Sequence, residues 1–265
     1  MLVKIAESDT IGAMDADAYV KSIVDKYALN GRSPQAVVAA QTVFAVIQTW
    51  AGKWLLEVQY SGSNAKGTAI RGVADLDLFI SLDPDTPETL SDIYNKLANH
   101  AQLQPYAPRR QNVSIGVTCN GYSIDLVPGK KQPGNTTDHS LYRSKAGTWT
   151  KTNVAKHIAF IQNSQRLDEI RALKIWRARH GLEFPSFYLE MTVIKALCGK
   201  RTGNIASNVW TVLEYLRGNF ASTAVTDPAN SNNLLSDDLT VTEKKVVIQK
   251  ATSSLNQQNW GQIIW

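Results

Sequence analysis

The 265-residue sequence predicts an α+β protein with two lobes, in which a mixed α/β lobe precedes a helical lobe. Alternating apolar segments, which are typical of strands, occur between residues 54 and 127. From about residue 153 onward, the apolar residues recur at helical spacing instead. We therefore expect one domain over residues 1–150 and a second, helical domain over residues 151–265.

The first lobe begins with helices, since residues 15–51 carry two apolar stripes separated by a break at residues 30–34. Alternation and turn residues predict the other elements of this lobe: a strand at 54–60, a polar loop or short helix at 61–68, a strand at 75–81, a helix at 88–100, a β-hairpin at 111–118 and 121–127, and a connection at 128–150. The second lobe is predicted to contain helices at 153–163, 165–180, 186–198, 205–218 and 241–257.

Composition excludes several classes of protein. Hydrophobic residues make up 43% and charged residues 19% of the chain, which is a globular balance, and no apolar run is long enough to span a membrane. The two cysteines, Cys119 and Cys198, exclude a disulfide scaffold and a zinc site built on four thiols. The N-terminus lacks the apolar stretch of a secretory signal, so we expect a cytoplasmic protein without membrane contact.

Charge is distributed unevenly along the chain, although the formal net charge is only +5. Residues 1–100 carry a net charge of −4, whereas residues 101–180 carry 13 Lys/Arg against 4 Asp/Glu. Such a basic region favours a polyanionic partner, either a nucleoside triphosphate or a nucleic acid such as RNA. The alternative interpretation is a solvated basic helix face.

Two short motifs lie close together in residues 60–80. Gly62-Ser63 directly follows an apolar strand, where glycine permits close backbone approach and the serine hydroxyl with the loop N–H groups can hold phosphate oxygens. Asp75 and Asp77 lie two residues apart on a predicted strand and therefore share one face. Adjacent carboxylates repel unless a cation neutralises them, and Mg²⁺ is the usual ion. The alternative interpretation is a pair of solvated aspartates at a sheet edge.

A third carboxylate, Asp125, lies between Ile124 and Leu126 on another predicted strand, so that it faces away from the core. If this strand lies beside the strand of Asp75 and Asp77, three carboxylates meet on one sheet face. That arrangement suits phosphoryl transfer with two Mg²⁺ or Mn²⁺ ions, and Asp125 would lie nearest the attacking hydroxyl.

Together these motifs resemble the signature of the polymerase-β-like nucleotidyltransferase superfamily. Residues 62–80, with Lys66-Gly67-Thr68 and Arg71-Gly72, are similar to the bacterial CD-NTases (cGAS/DncV-like nucleotidyltransferases) and to the oligoadenylate synthetases. The resemblance implies a bilobed fold, with a mixed β-sheet catalytic lobe, a C-terminal helical lobe and an active site in the cleft between them. It also implies that Asp75, Asp77 and Asp125 are catalytic and bind the metal.

The resemblance extends to the nucleotide-binding residues. It implies that Lys174 contacts the triphosphate and that Ser186 touches phosphate, whereas Phe187 stands where related proteins carry a tyrosine that stacks on the base. From helical spacing alone, Lys174 is a surface residue and Phe187 a core residue. The full predicted set is Gly62, Ser63, Lys66, Lys174, Ser186 and Phe187.

The resulting hypothesis is a metal-dependent enzyme that joins nucleoside triphosphates, ATP among them, and releases pyrophosphate. The resemblance implies a synthase of cyclic di- or oligonucleotide messengers in bacterial anti-phage defence. An RNA 3′-terminal nucleotidyltransferase, of the tRNA CCA-adding or poly(A) type, uses the same chemistry and is the alternative. A non-catalytic nucleotide-binding module is a third hypothesis, disfavoured by the three carboxylates. A small-molecule nucleotidyltransferase is also less favoured. A Walker A loop is excluded, because Thr68 stands where its lysine is required.

Overall fold

A computed structural model describes residues 15–73 and 75–265 of the chain. Residues 1–14, on which the absence of a signal sequence was predicted, lie outside the described residues. The helices are α1 (Ala16–Tyr27), α2 (Pro34–Ala51), α3 (Gly62–Lys66), α4 (Leu90–Gln102), α5 (Val154–Asn163), α6 (Leu167–Arg179), α7 (Ser186–Ala196), α8 (Ile205–Gly218) and α9 (Val241–Leu255). The strands are β1 (Leu55–Tyr60), β2 (Leu76–Leu82), β3 (Arg109–Arg110), β4 (Ile115–Cys119), β5 (Tyr122–Lys131), β6 (His139–Arg143), β7 (Thr148–Thr152), β8 (Thr226–Asp227) and β9 (Asn230–Leu234).

These elements form two compact units. The sheet unit comprises Leu29–Asn163 and Asp227–Asn233, and the helical unit comprises residues 15–28 together with Ser164–Thr226 and Leu234–Trp265. The units differ from the predicted division at residue 150 in three places. Residues 151–163 belong to the sheet unit. Residues 15–28 belong to the helical unit because α1 packs against α6 and α8, and residues 227–233 belong to the sheet unit.

The sheet unit is built on a mixed sheet with the strand order β1-β2-β5-β4-β3. Strands β2 and β5 run parallel, and the other neighbours are antiparallel. Alternate residues of β2 and β5 face a core that α2 and α4 cover; this core includes Leu76, Leu78, Ile80, Ile124 and Leu126. Burial of each such side chain stabilises the fold by about 1.5–3 kcal/mol. The intervening residues of both strands therefore project from the opposite face of the sheet.

The predicted connection at residues 128–150 is wrong. Strand β5 continues to Lys131, and β6 and β7 follow as an antiparallel pair that joins the sheet where Lys130 and Lys131 pair with Ser140 and His139. A local signal for these strands was present, because β6 and β7 form a hairpin with each other and β7 (Thr-Trp-Thr-Lys-Thr) has the composition of a strand. The Pro, Gly and Ser residues of the segment led to the prediction of a connection instead. Gly129 contributes to the packing here, since a Cβ at this position would lie 2.5 Å from Cζ of Phe79.

The helical unit has an aromatic core that contains the buried residues Trp176, Tyr188 and Phe220. The Trp176 indole donates a hydrogen bond to Ser254 Oγ at 3.0 Å, and the Tyr188 and Phe220 rings stack at 5.2 Å. Asp17 of α1 accepts a hydrogen bond from the Ala206 N–H at the start of α8. None of the helices in the described chain has the length and apolar character needed to cross a membrane.

Candidate active site

The pairing of β2 with β5 brings two of the predicted carboxylates together. Asp77 and Asp125 are direct partners in the parallel register, so their side chains project side by side from the face opposite the core. Both are half-buried. Asp75 immediately precedes β2 and is exposed, and its negative charge acts on Asp125. The structure thus places an acidic pair at the centre of the sheet, with the third carboxylate nearby.

The Gly62-Ser63 turn is tied to the strand of Asp77. The Ser61 N–H donates to the Asp77 carbonyl at 2.8 Å, and Asn64 Nδ2 donates to the Asp75 carbonyl at 2.9 Å. Gly62 has a φ of 59°, and a Cβ built there would lie 1.7 Å from Asp77 Oδ2. Only glycine therefore lets this turn approach the Asp77 carboxylate so closely.

The other members of the turn begin a short helix. Ser63 is half-buried, and its carbonyl accepts a hydrogen bond from the Thr68 N–H at 2.9 Å. Lys66 is 7% exposed, so most of the residue is buried. A phosphate contact by Ser63 or Lys66 stays a prediction.

A row of residues extends the acidic pair toward the sheet edge. Asp125 pairs with Gly116 of β4, and Gly116 pairs with Arg109 of β3. Gln111 Nε2 donates to Asp125 Oδ1 at 2.9 Å across the position that a side chain at residue 116 would fill. Sequence reasoning missed Gln111 and Arg109, because no local pattern indicates that they approach Asp125.

The environment of Asp125 favours its protonated form. Burial and the negative charge of Asp75 raise the pKa of Asp125, whereas the Gln111 hydrogen bond and the Arg109 charge only partly oppose this shift. A divalent cation bound beside Asp125 would instead favour the ionised carboxylate, because its charge opposes that of Asp75.

Asp125→Asn is expected to change the pH dependence of stability in metal-free protein. Because the pKa of Asp125 is raised in the folded state above its usual 3.8, the folded chain binds more protons than the unfolded chain above that pH. Its contribution to stability therefore falls as pH rises through the raised pKa. The variant does not lose this stability, because asparagine does not titrate, and its amide oxygen still accepts the Gln111 hydrogen bond. In thermal unfolding, the Tm of the variant relative to that of the wild type should therefore increase from about pH 4 to about pH 7. A Tm difference that is constant with pH would contradict this.

Lys174 and Ser186 belong to a charged network in the helical unit. Lys174 Nζ lies 2.6 Å from Glu190 Oε1, and the two side chains are only 3% and 0% exposed. Arg177 Nη1 donates to Ser186 Oγ at 3.0 Å and to the Phe184 carbonyl at 2.6 Å. Burial lowers the pKa of Arg177, and the charge of Glu190 opposes that shift. The network therefore combines two cations with one carboxylate.

The predicted roles of these helical-unit residues remain predictions. Ser186 is exposed, and Phe187 is half-buried, so neither is sealed in the core. Sequence reasoning missed Glu190 and Arg177. A signal for Glu190 was present, because a lone carboxylate in the apolar segment of α7 requires a buried cation as partner.

Glu190→Gln is expected to destabilise the protein strongly. The substitution keeps the side-chain shape but removes the carboxylate that Lys174 contacts, leaving buried positive charge at a cost of about 3–5 kcal/mol. Urea unfolding measures the loss. Glu88→Gln is the matched control, because Glu88 pairs with Lys96 at 2.8 Å on the surface and its loss should change stability little. Equal losses of unfolding free energy in the two variants would mean that the buried Lys174–Glu190 pair contributes no more to stability than a surface pair.

A buried aspartate connects β8 and β9 to helix α5 in the sheet unit. His157 Nε2 lies 2.7 Å from Asp227 Oδ1, and Asp227 also accepts hydrogen bonds from the Ala229 N–H and Asn233 Nδ2. Burial alone would raise the pKa of Asp227, but the His157 contact and the other hydrogen bonds lower it. These contacts fasten the segment 227–233 to α5.

A cavity of about 620 Å³ lies within the helical unit and is lined by none of the predicted site residues. Three of its charged lining residues pair with one another, since Asp168 lies 3.3 Å from Lys21 and 3.2 Å from Arg171. The lining carboxylates Asp17 and Glu169 are bound by the Ala206 N–H and by Arg166. Because these charges are compensated within the protein, the cavity is a poorer match for a triphosphate than the acidic pair with its ions.

The carboxylates fit Mg²⁺ or Mn²⁺ as hard oxygen ligands, but they do not form a complete cage. Within residues 15–73 and 75–265, no three His, Cys, Asp or Glu side chains form a group that could hold a metal ion. Mg²⁺ is usually bound by one or two carboxylates together with waters and substrate phosphates. Asp77 and Asp125, with Asp75 nearby, therefore fit an ion that binds together with a triphosphate.

Comparison with solved structures identifies the fold. E. coli MS115-1 CdnC with ATP matches at a TM-score of 0.71 and 18% identity, covering 89% of each chain. The Bradyrhizobium diazoefficiens CD-NTase CdnG in complex with GTP matches at a TM-score of 0.72 and 12% identity, covering 94% of this chain and 93% of that one. The chain has the fold of the bacterial CD-NTases. This confirms the predicted α+β fold class and the predicted resemblance to the bacterial CD-NTases.

Sequence comparison agrees with this assignment. The chain is 25% identical over 156 residues to the cyclic AMP-AMP-AMP synthase of Escherichia coli (strain MS 115-1), which corresponds to 52% of this chain and 49% of that protein. The match thus spans about half the length of the curated relative. No protein-family profile matches the chain.

Proposed function

We propose that this chain is a metal-dependent nucleotidyltransferase that joins nucleoside triphosphates and releases pyrophosphate. The observation that carries the proposal is the register of β2 and β5, which sets Asp77 beside Asp125 on the face of the sheet opposite the core. Gly62, packed directly against the Asp77 carboxylate, adds a turn suited to phosphate at the same place.

Asp75, Asp77 and Asp125 are the proposed ligands of two Mg²⁺ or Mn²⁺ ions. When bound, such ions neutralise the carboxylates and the triphosphate and make the attacking hydroxyl more acidic. Gly62, Ser63 and Lys66 of the sheet unit are proposed to bind the donor triphosphate. In the helical unit, the proposed nucleotide-binding residues are Lys174, Ser186 and Phe187.

The proposed reaction conserves atoms and charge, because one bond forms as another breaks and the single proton that is released has a named acceptor. The hydroxyl of an acceptor nucleotide attacks the α-phosphorus of the donor and forms a new phosphodiester bond. The bond from that phosphorus to the β-phosphate oxygen breaks, and pyrophosphate leaves. Asp125, with its raised pKa, takes the hydroxyl proton.

The proposed product is a cyclic di- or oligonucleotide messenger, and ATP is the first substrate to test. The name of the E. coli relative, a cyclic AMP-AMP-AMP synthase, supports this choice. By the same resemblance we propose a role in bacterial anti-phage signalling in the cytoplasm.

The basic region at residues 101–180 gives less support to an RNA substrate than its charge indicates. Several of its cations are used within the protein: Arg166 contacts Glu169 at 3.1 Å, Lys174 contacts Glu190, and Arg179 donates to the Trp265 carbonyl. An RNA partner stays a prediction, which the following experiment addresses.

The test is an incubation of the purified chain with four labelled nucleoside triphosphates and Mg²⁺ or Mn²⁺, with and without RNA, followed by phosphatase and thin-layer chromatography. A phosphatase-resistant small product that is absent with Asp75→Ala/Asp77→Ala protein is the expected result. Label that appears only in RNA would replace the messenger synthase by a terminal transferase. The absence of label from both a small product and RNA, under all conditions, would contradict the proposal.

A further inference from the structure

The row formed by Asp125, Gly116 and Arg109 across three neighbouring strands has no side chain at its middle position, Gly116. Each neighbour in the row, Asp125 on one side and Arg109 on the other, carries a long or charged side chain on the same face. The backbone at Gly116 is not in the left-handed region, so its conformation does not require glycine. A Cβ there would instead lie 2.8 Å from Gln111 Nε2 and 3.1 Å from Asp125 Oδ1. The glycine makes room for the contact between those two side chains.

Hydrogen bonds fix both the backbone and the side chain of Gln111. Its backbone N–H donates to the Ser114 carbonyl at 2.9 Å, and its carbonyl accepts hydrogen bonds from the hydroxyls of Tyr94 and Ser144. Its side-chain Oε1 accepts a hydrogen bond from Ser114 Oγ at 2.9 Å, which directs Nε2 toward Asp125. Both ends of the side-chain amide are therefore engaged, and its orientation is set by the surrounding chain.

We propose that Gln111 is a positioning residue of the active site, which holds the Asp125 carboxylate in the orientation that binds the divalent ion. This inference rests on the proposed function. When both are ionised, as in a metal-bound site, Asp125 and Asp77 carry like charges and repel each other, and the hydrogen bond from Gln111 holds one Asp125 oxygen in a fixed direction. Groups that orient a metal ligand in this way typically change metal affinity by about 10–100-fold.

Gln111→Leu removes the donor while keeping the side-chain size. With a non-hydrolysable ATP analogue present, Mn²⁺ affinity, measured from the electron paramagnetic resonance signal of free Mn²⁺, should weaken by about 10–100-fold. Saturating Mn²⁺ should restore most of the activity of this variant. Gln132→Leu is the matched control, because Gln132 is also half-buried and donates one side-chain hydrogen bond, to Ser140 Oγ at 3.2 Å.

Gly116→Ala tests the same contact from the other side and serves if Gln111→Leu fails to fold. The added methyl group should displace the Gln111 amide from Asp125 and weaken Mn²⁺ binding to a similar extent. The double variant Gln111→Leu/Gly116→Ala should then bind Mn²⁺ about as tightly as the weaker-binding single variant, because both changes break the same contact. If the losses of Mn²⁺ affinity in the two single variants multiply in the double variant, the positioning role is wrong.

The outcomes separate this inference from the proposed function. If the wild type binds Mn²⁺ in a manner that Asp75→Ala/Asp77→Ala abolishes, and Gln111→Leu binds within about twofold of the wild type, the inference is wrong and the proposed function stands. If the wild type shows no such binding with the analogue, the metal site itself is wrong and the inference falls with it.

Discussion

Asp77→Ala is expected to reduce nucleotide joining by at least ~10³-fold while the chain stays folded. Asp77 is the register partner of Asp125 and the carboxylate against which Gly62 packs, so its loss removes a ligand from the centre of the proposed site. Metal ions supply several kcal/mol of charge stabilisation in phosphoryl transfer, and each 1.36 kcal/mol is tenfold in rate. Product formation from labelled ATP, with circular dichroism to check folding, measures the effect.

Asp83→Ala is the control for this substitution. Asp83 is also half-buried in the sheet unit, directly after β2, but its carboxylate accepts a hydrogen bond from the Asp85 N–H at 2.8 Å. Its replacement should leave the rate unchanged. Activity retained in folded Asp77→Ala protein would show that the acidic pair is not the reaction centre.

Gly62→Ala is expected to reduce kcat/KM by at least ~100-fold, because displacement of reacting groups by about an ångström has effects of this size. Two causes act together. The φ of 59° is unfavourable for alanine, and the new Cβ would lie 1.7 Å from Asp77 Oδ2, so the turn or the carboxylate must move. Steady-state kinetics with ATP, alongside Tm, measure the effect.

Gly147→Ala separates these two causes. Gly147 has a similar φ of 62°, but a Cβ there would meet no atom within 4 Å. Its replacement should therefore lower stability through backbone strain and leave kcat/KM close to the wild type. Equal losses of activity in the two glycine variants would mean that strain alone, rather than contact with Asp77, explains the effect at residue 62.

Much of the local structure around the site could be predicted from the sequence, because it depends on short-range patterns. Alternation in β2 and β5 predicts that Asp77 and Asp125 leave the core face, and the structure places both there. The polar residues after β1 predict a turn or short helix, which is α3. The predicted break at residues 30–34 separates α1 from α2.

Features that depend on contacts between distant residues could not be predicted. The place of α1 in the helical unit follows from its packing on α6 and α8. The register of β4 against β5 belongs to the predicted hairpin, but the Gln111 contact to Asp125 also requires the turn between β3 and β4, where a strand was predicted. Strands β6 and β7 are different, because they form a local hairpin and β7 has strand composition, so a signal for them was present and was overlooked.

Whether Asp77 and Asp125 bind the metal is tested with a crystal of the protein soaked with Mn²⁺ and a non-hydrolysable ATP analogue, with anomalous scattering used to locate the ion. We expect a manganese peak bonded to carboxylate oxygens of Asp77 and Asp125, with the analogue's phosphates beside the Gly62 turn. Bound analogue with manganese on other residues, or none at these carboxylates, would contradict this expectation.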